Sequence, residues 1–168
     1  KCVTDITEVK AKDGKLYVSA VFDCYDSCVL GLAMDTNMRA SLCVQTLKNA
    51  HDACHDLRGV IIHSDRGAQY TSQEYRAAIG RYGILQSMNS AGGRCHDNAR
   101  CESMWARMKV ELLYGRYNTE KLTIDKLKTL IWRFFIGYWN NRRICSRNGG
   151  LPPMVKRQRY YHSLKKAA

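Results

Sequence analysis

Short runs rich in apolar and β-branched side chains, broken by polar turns, open the chain. Val3 to Val9 carries β-branched Val3, Thr4, Ile6, Thr7 and Val9, the mark of a strand. Lys12-Asp13-Gly14-Lys15 interrupts the pattern, and Asp-Gly between two such runs predicts a hairpin, with Leu16 to Phe22 as the returning strand. Cys28 to Met34 is a third short apolar run, so the opening reads as an antiparallel three-strand meander. The period then changes. Ala40, Val44, Leu47 and Cys54 recur at helical spacing over about Arg39 to Cys54, and Gly59 ends the stretch. Val60-Ile61-Ile62 is wholly apolar, as expected of a strand buried on both faces, and runs into His63-Ser64-Asp65 and Arg66-Gly67. Thr71-Ser72-Gln73-Glu74 has capping-box spacing. It predicts a short helix to about Arg81, and Ile84 to Met88 reads as a further strand.

Asn89 to Arg94 reads as a glycine-containing loop. Asp97 or Asn98 caps a long helix to about Leu113. A last helix spans about Thr123 to Asn141, with Ile124, Leu127, Leu130, Ile131, Phe134, Phe135 and Tyr138 on one broad face. Trp132, Phe134, Phe135 and Trp139 read as core and helix-packing surface. From about Ile144 the chain is basic and irregular, with Pro152-Pro153 marking a late boundary.

The order βββαβαβαα predicts an α/β fold: a mixed five-stranded sheet, three strands in a meander and two further, flanked by helices. A chain of 168 residues suits one domain. We read residues 1–143 as the core and 144–168 as a basic C-terminal extension. There are no internal repeats. No apolar run approaches the ~20 residues that span a bilayer, and no secretory pattern opens the chain, so a cytoplasmic, membrane-free protein is expected. The start at Lys1 is compatible with an excised fragment.

Charge narrows the partner. Lys and Arg number 27 against 15 Asp and Glu, a formal +12, and such an excess favours a polyanion, nucleic acid above all. Arg142, Arg143, Arg147, Lys156, Arg157 and Arg159 read either as a phosphate-binding tail or as a solvated basic one. The eight cysteines, Cys2, Cys24, Cys28, Cys43, Cys54, Cys95, Cys101 and Cys145, lack the paired spacing of a zinc site. They read as reduced, mostly buried thiols, and no zinc is expected.

Three carboxylates sit where carboxylates are unusual. Asp5 lies inside an apolar strand. Asp65 follows the most apolar one, at the carboxyl end where α/β proteins place their chemistry. Glu102 lies early on a long helix beside Met104 and Trp105. Acids are rarely placed in a core without a partner. Three of them from separate elements could converge on hard cations that prefer oxygen ligands. Taken singly, each also reads as a strand-end cap or an ion-pair partner. Lys109 lies two helical turns after Glu102 on nearly the same face, positioned to contact a phosphate, or is an exposed helix lysine. His63-Ser64-Asp65 is no hydrolytic triad, since consecutive strand residues face opposite ways. His63 positions Asp65 or a ligand, or is packed.

Thr4-Asp5-Ile6-Thr7, His63-Ser64-Asp65-Arg66-Gly67-Ala68-Gln69-Tyr70-Thr71-Ser72, Ser87-Met88, Asp97-Asn98-Ala99 and Glu102-Ser103 together resemble the transposases of bacterial insertion sequences. These belong to the retroviral-integrase-like DDE recombinases. The resemblance continues through Tyr138-Trp139-Asn140-Asn141-Arg142, Gly150 and Pro152-Pro153. It implies a ribonuclease H-like fold, with Asp5, Asp65 and Glu102 as a catalytic triad holding two Mg²⁺, for which Mn²⁺ substitutes. It implies cleavage at transposon ends, then transfer of a 3′-hydroxyl into target DNA. It also implies a DNA contact at Lys109. Arg66 reads as a phosphate contact or a surface residue, Asn98 as a site residue or a helix cap, and Arg142 as a further candidate DNA contact. A homo-oligomer on DNA is expected because two transposon ends must be joined, in the bacterial cytoplasm at the nucleoid. One departure is visible. Residues 66 to 101 number 36, one more than the family's usual spacing between the second and third acids, and we assign the extra residue to the loop Ser90 to Cys95. Glu111 is the rival acid on the same helix. No helix-turn-helix pattern precedes Asp5, so an upstream DNA-binding region is expected to be missing from this fragment. A nuclease or resolvase of the same fold, and a non-catalytic DNA-binding module, are the alternatives.

Overall fold

The computed structural model describes residues 1–89 and 99–167. Three antiparallel strands open it: β1 (Cys2–Ala11), β2 (Gly14–Asp23) and β3 (Val29–Asp35). Helix α1 (Ala40–Cys54) leads to β4 (Ile61–Ser64). A single turn α2 (Ala68–Thr71) and helix α3 (Gln73–Arg81) lead to β5 (Leu85–Met88). The five strands lie in the order β3-β2-β1-β4-β5, with β4 parallel to both β1 and β5. Helices α4 (Ala99–Met108), α5 (Ile124–Trp132) and α6 (Pro153–Ala167) complete the order. This is the mixed, helix-flanked sheet that the alternating pattern predicted.

Strand alternation divides the core in two. Val3 and Val9 of β1, with Leu16, Val18, Ala20 and Phe22 of β2, face α4 and α5, where Trp105, Met108, Leu127, Ile131 and Phe135 meet them. Cys2, Val21 and Ile62 face the other way, towards Cys43 and Leu47 of α1 and Tyr75 and Ile79 of α3. On that side β3 comes so close to α1 that a Cβ at Gly31 would sit 2.3 Å from the Thr46 carbonyl oxygen.

Several expectations shift by small, explicable amounts. The hairpin link is Lys12-Asp13, with Ala11 opposite Gly14. Asp13 Oδ1 accepts from Ile124 N at 2.8 Å and so fastens the start of α5. The cap of α3 is Ser72, whose Oγ accepts from Tyr75 N. Thr71 instead closes α2, its hydroxyl bonding back to the Gly67 and Ala68 carbonyls. β4 is not buried on both faces: Ile61 is 40% exposed, as is its neighbour Leu85 at 55%. The physical reason is that the helices on that face pack over β1 to β3, and no residue of β4 or β5 joins that part of the core. Trp132 is also surface, 53% exposed, whereas Phe134, Phe135 and Trp139 are buried as expected.

Both long C-terminal helical stretches widen at their ends, α4 over Lys109–Leu113 and α5 over Arg133–Trp139. Such one-turn expansions recur at functional sites. Past α5, buried Asn140 pairs with the backbone of Val29 on both its amide N–H and carbonyl, each at 2.9 Å. Trp139 Nε1 donates to Ser27 O at 2.9 Å. The final stretch is not irregular. Pro153 opens α6, where a missing N–H costs nothing. Arg157 then ties α6 to the β2–β3 turn, with Nε 2.8 Å from Asp26 Oδ2 and a further bond to Asp23. Asp26 is fully buried.

Candidate active site

The sheet brings the first two acids together. In the parallel pair β1–β4, Val3 stands opposite His63. Continuing that register by two residues sets Asp65, just past the end of β4, beside Asp5. Both lie on the α4 side, because positions two apart share a face. Asp65 Oδ1 accepts from Gly67 N at 2.9 Å, an Asx turn that holds the carboxylate at the strand end. A Cβ at Gly67 would sit 3.0 Å from that same oxygen, so glycine lets the turn close.

Helix α4 brings the third acid. Buried Trp105 donates from Nε1 to Asp5 Oδ2 at 3.2 Å and packs edge-on against Phe22 and Phe135. This ring pins α4 to β1. Glu102, one turn earlier, is exposed at the cleft. The cleft, about 410 Å³, is lined by Asp5, Glu102, Trp105 and Lys109 among others. Burial raises the Asp5 carboxyl from its ordinary 3.8 to about 6, and the charges of Asp65 and Glu102 push the same way against the Ile6 amide and the Trp105 indole. That accumulation of negative charge is what a hard cation would neutralise, and the donors are all oxygens. Asp5 and Glu102 line this cleft, and Asp65 stands near enough to Asp5 to raise its carboxyl, but among the described residues no three His, Cys, Asp or Glu side chains stand close enough to hold an ion.

The remaining sequence candidates separate. Lys109 reaches the cleft beside Glu102. Arg66 lies on the strand-end rim, its Nε donating to Asn89 O at 2.6 Å. Arg142 is exposed but lines a different hollow, with Arg116, Arg133 and Tyr138. Asn98 and the loop assigned the extra residue lie outside the described residues. His63 is a packed, satisfied histidine, Nδ1 2.9 Å from Ser87 Oγ and Nε2 2.8 Å from Asn89 Oδ1. Glu111 is held by Arg143 through two nitrogens, at 2.6 and 2.9 Å, which lowers its carboxyl below the usual range. Within the basic tail, Arg143, Arg157 and Lys156 bond internally, Lys156 to Tyr25 O and Asn148 Oδ1. The role of Trp105 was not foreseen. Its signal was an aromatic one turn after Glu102.

The described cysteines are free thiols. Burial pushes Cys2 and Cys28 up to about 12. No helix of the described residues is long and apolar enough to cross a membrane.

Comparison with known proteins agrees with this fold. Residues 1–93 match the family model described as integrase core domain. Over 153 residues the chain is 34% identical to "Transposase InsF for insertion sequence IS3A" of Escherichia coli K12, covering 91% of this chain and 52% of that protein. The chain therefore spans about half the length of the curated relatives it matches. Among solved structures, the simian T-cell lymphotropic virus intasome in complex with PP2A regulatory subunit B56 gamma superposes with a TM-score of 0.67 at 20% identity, over 86% of this chain and 49% of that one. The HTLV-2 integrase catalytic core domain in complex with magnesium gives 0.55 at 15% identity, over 91% and 90%. At these identities the likeness establishes the fold, which is ribonuclease H-like.

Proposed function

Because this chain belongs to the integrase core family, we propose that it is the catalytic domain of an insertion-sequence transposase, cutting DNA at transposon ends and joining the freed 3′-hydroxyl to target DNA. The observation that carries the proposal is the parallel β1–β4 register, which sets Asp5 beside Asp65 under the helix that bears Glu102. We assign Asp5, Asp65 and Glu102 as ligands of two divalent ions, Mg²⁺ or Mn²⁺. The magnesium in the HTLV-2 integrase core supports that class of metal. Such a pair of ions, when bound, activates the attacking oxygen and stabilises the leaving one in phosphoryl displacement.

The protein's own groups do the rest. Asp65 is held at its strand end by the Gly67 amide, and Asp5 by the Trp105 indole, so two of the three ligands are oriented in advance. Glu102, exposed on α4, is the ligand that closes onto the site. Lys109 binds the phosphate beside it, a positioning contact without base preference. Water and then the 3′-hydroxyl are the nucleophiles, so no side chain forms a covalent bond to DNA. Residues 1–143 are the catalytic core, and 144–168 a basic extension docked on it. The working form is an oligomer on DNA in the bacterial cytoplasm, because two transposon ends must meet.

The test is strand joining with pre-cut DNA ends in Mn²⁺, comparing this chain with Glu102→Gln. Joined product that disappears in the variant supports the proposal. Cleavage without joining points to a nuclease of the same fold. DNA binding with neither cleavage nor metal binding points to an assembly module.

A further inference from the structure

On the other flank of α4 lies a larger cleft, about 790 Å³, that the triad does not use. Arg100 and Arg107 of α4 line it together with Arg147, and Ser27, Ser103 and Ser146 share the lining. The floor is apolar, formed by Phe22, Met104 and Trp139. A low-polarity floor strengthens the pull of the guanidiniums on an anion.

Among the described residues the charge in this cleft is uncompensated. Asp23, which lines it, is engaged by Arg157. Glu111, near Arg107, is engaged by Arg143. Arg100 gives one bond, from Nη1 to Cys24 O at 2.5 Å, and keeps its other donors. Arg107 and Arg147 have no ion-pair or hydrogen-bond partner among the described residues, and both are exposed. Among the described residues each acid at the cleft already has an arginine, and three arginines are left over.

The spacing suits a nucleic-acid strand better than an isolated anion. Arg100 to Arg107 spans roughly 10 Å along the helix axis at ~1.5 Å per residue. That is the rise of about three nucleotides of a B-form strand at ~3.4 Å each. Helix α4 is thus a ridge with Glu102 and Lys109 towards the triad cleft and Arg100, Ser103 and Arg107 towards this one. Resting on the reading of the triad as a DNA site, we infer that this cleft is a second phosphate-binding channel. It takes the backbone of the complementary strand while the reacting strand lies at the triad.

The experiment measures DNA affinity of this chain by fluorescence anisotropy across a salt series, for a labelled duplex and for one of its strands alone. Arg107→Gln combined with Arg147→Gln should lower the slope of log affinity against log salt by about 2 on the duplex, at roughly 0.9 per phosphate contact, and leave the single strand unchanged. Lysine at both positions should restore the slope, which a merely structural role would not predict. Lys109→Gln serves as the triad-side control and should lower the slope by about 1 on both substrates. A duplex slope that falls for Lys109→Gln but not for the arginine pair overturns the channel and leaves the triad reading intact. An equal fall on duplex and single strand overturns the assignment to the complementary strand. A wild-type chain without salt-dependent DNA affinity overturns both the channel and the triad reading.

Discussion

Replacing Asp5 with asparagine should stabilise the metal-free fold. Asp5 is half-buried on β1 beside two other carboxylates, and its carboxyl rises from an ordinary 3.8 to about 6. A group that holds its proton more tightly folded than unfolded costs stability once the pH exceeds the unfolded value. Stability then falls as the pH rises from about 4 to about 6 and stays low above it. At about 1.4 kcal/mol for each tenfold change in proton affinity, the cost at pH 7.5 is at most about 3 kcal/mol, and solvent screening at a partly open cleft reduces it to about 1–3. The asparagine side chain would accept the Trp105 N–H through its amide oxygen and carry no charge. Asp5→Asn should therefore raise the free energy of unfolding in urea by that amount at pH 7.5 in chelator. Roughly two thirds of the gain should disappear at pH 4.5, where the wild-type carboxyl is protonated in the fold. Added Mg²⁺ should stabilise the wild type and leave the variant unmoved. A variant no more stable than wild type at pH 7.5, or a gain that does not change with pH, would refute the reasoning.

Two further outcomes follow from other contacts. Trp105→Phe keeps the edge-on packing against Phe22 and Phe135 but removes the bond to Asp5. It should cost about 1–2 kcal/mol at pH 7.5, in the range of bonds to charged groups, and less at pH 4.5. Equal urea midpoint shifts at both pH values would contradict the assigned role. Arg157→Leu leaves fully buried Asp26 without its cation. It should cost about 3–5 kcal/mol, partly recovered by adding Asp26→Asn. Equilibrium unfolding of the single and double variants checks this, and an undiminished midpoint in the single variant would show that α6 is not fastened by this pair.

The sequence by itself determined the elements and their order. The β-branched and apolar runs Val3 to Val9 and Leu16 to Phe22, then a helical period through Ala40 to Cys54, follow from local sterics and from which faces must be buried, and neither depends on distant contacts. The same pattern marked Asp5 and Asp65 as anomalous, because a carboxylate in an apolar run conflicts with its surroundings whatever the fold. Distance was not legible. That Asp5 and Asp65 stand side by side is decided by the β1–β4 register, which couples residues sixty positions apart. The faces left uncovered, at Ile61 and Trp132, depend on where the helices land and not on local hydrophobicity. Charge behaved likewise. The sequence counted arginines, and only the tertiary structure decided which of them, Arg143 and Arg157, meet an acid and which, Arg107 and Arg147, have no such partner among the described residues. A side chain's charge is a property of its residue type, but its neutralisation is a property of its neighbours in space.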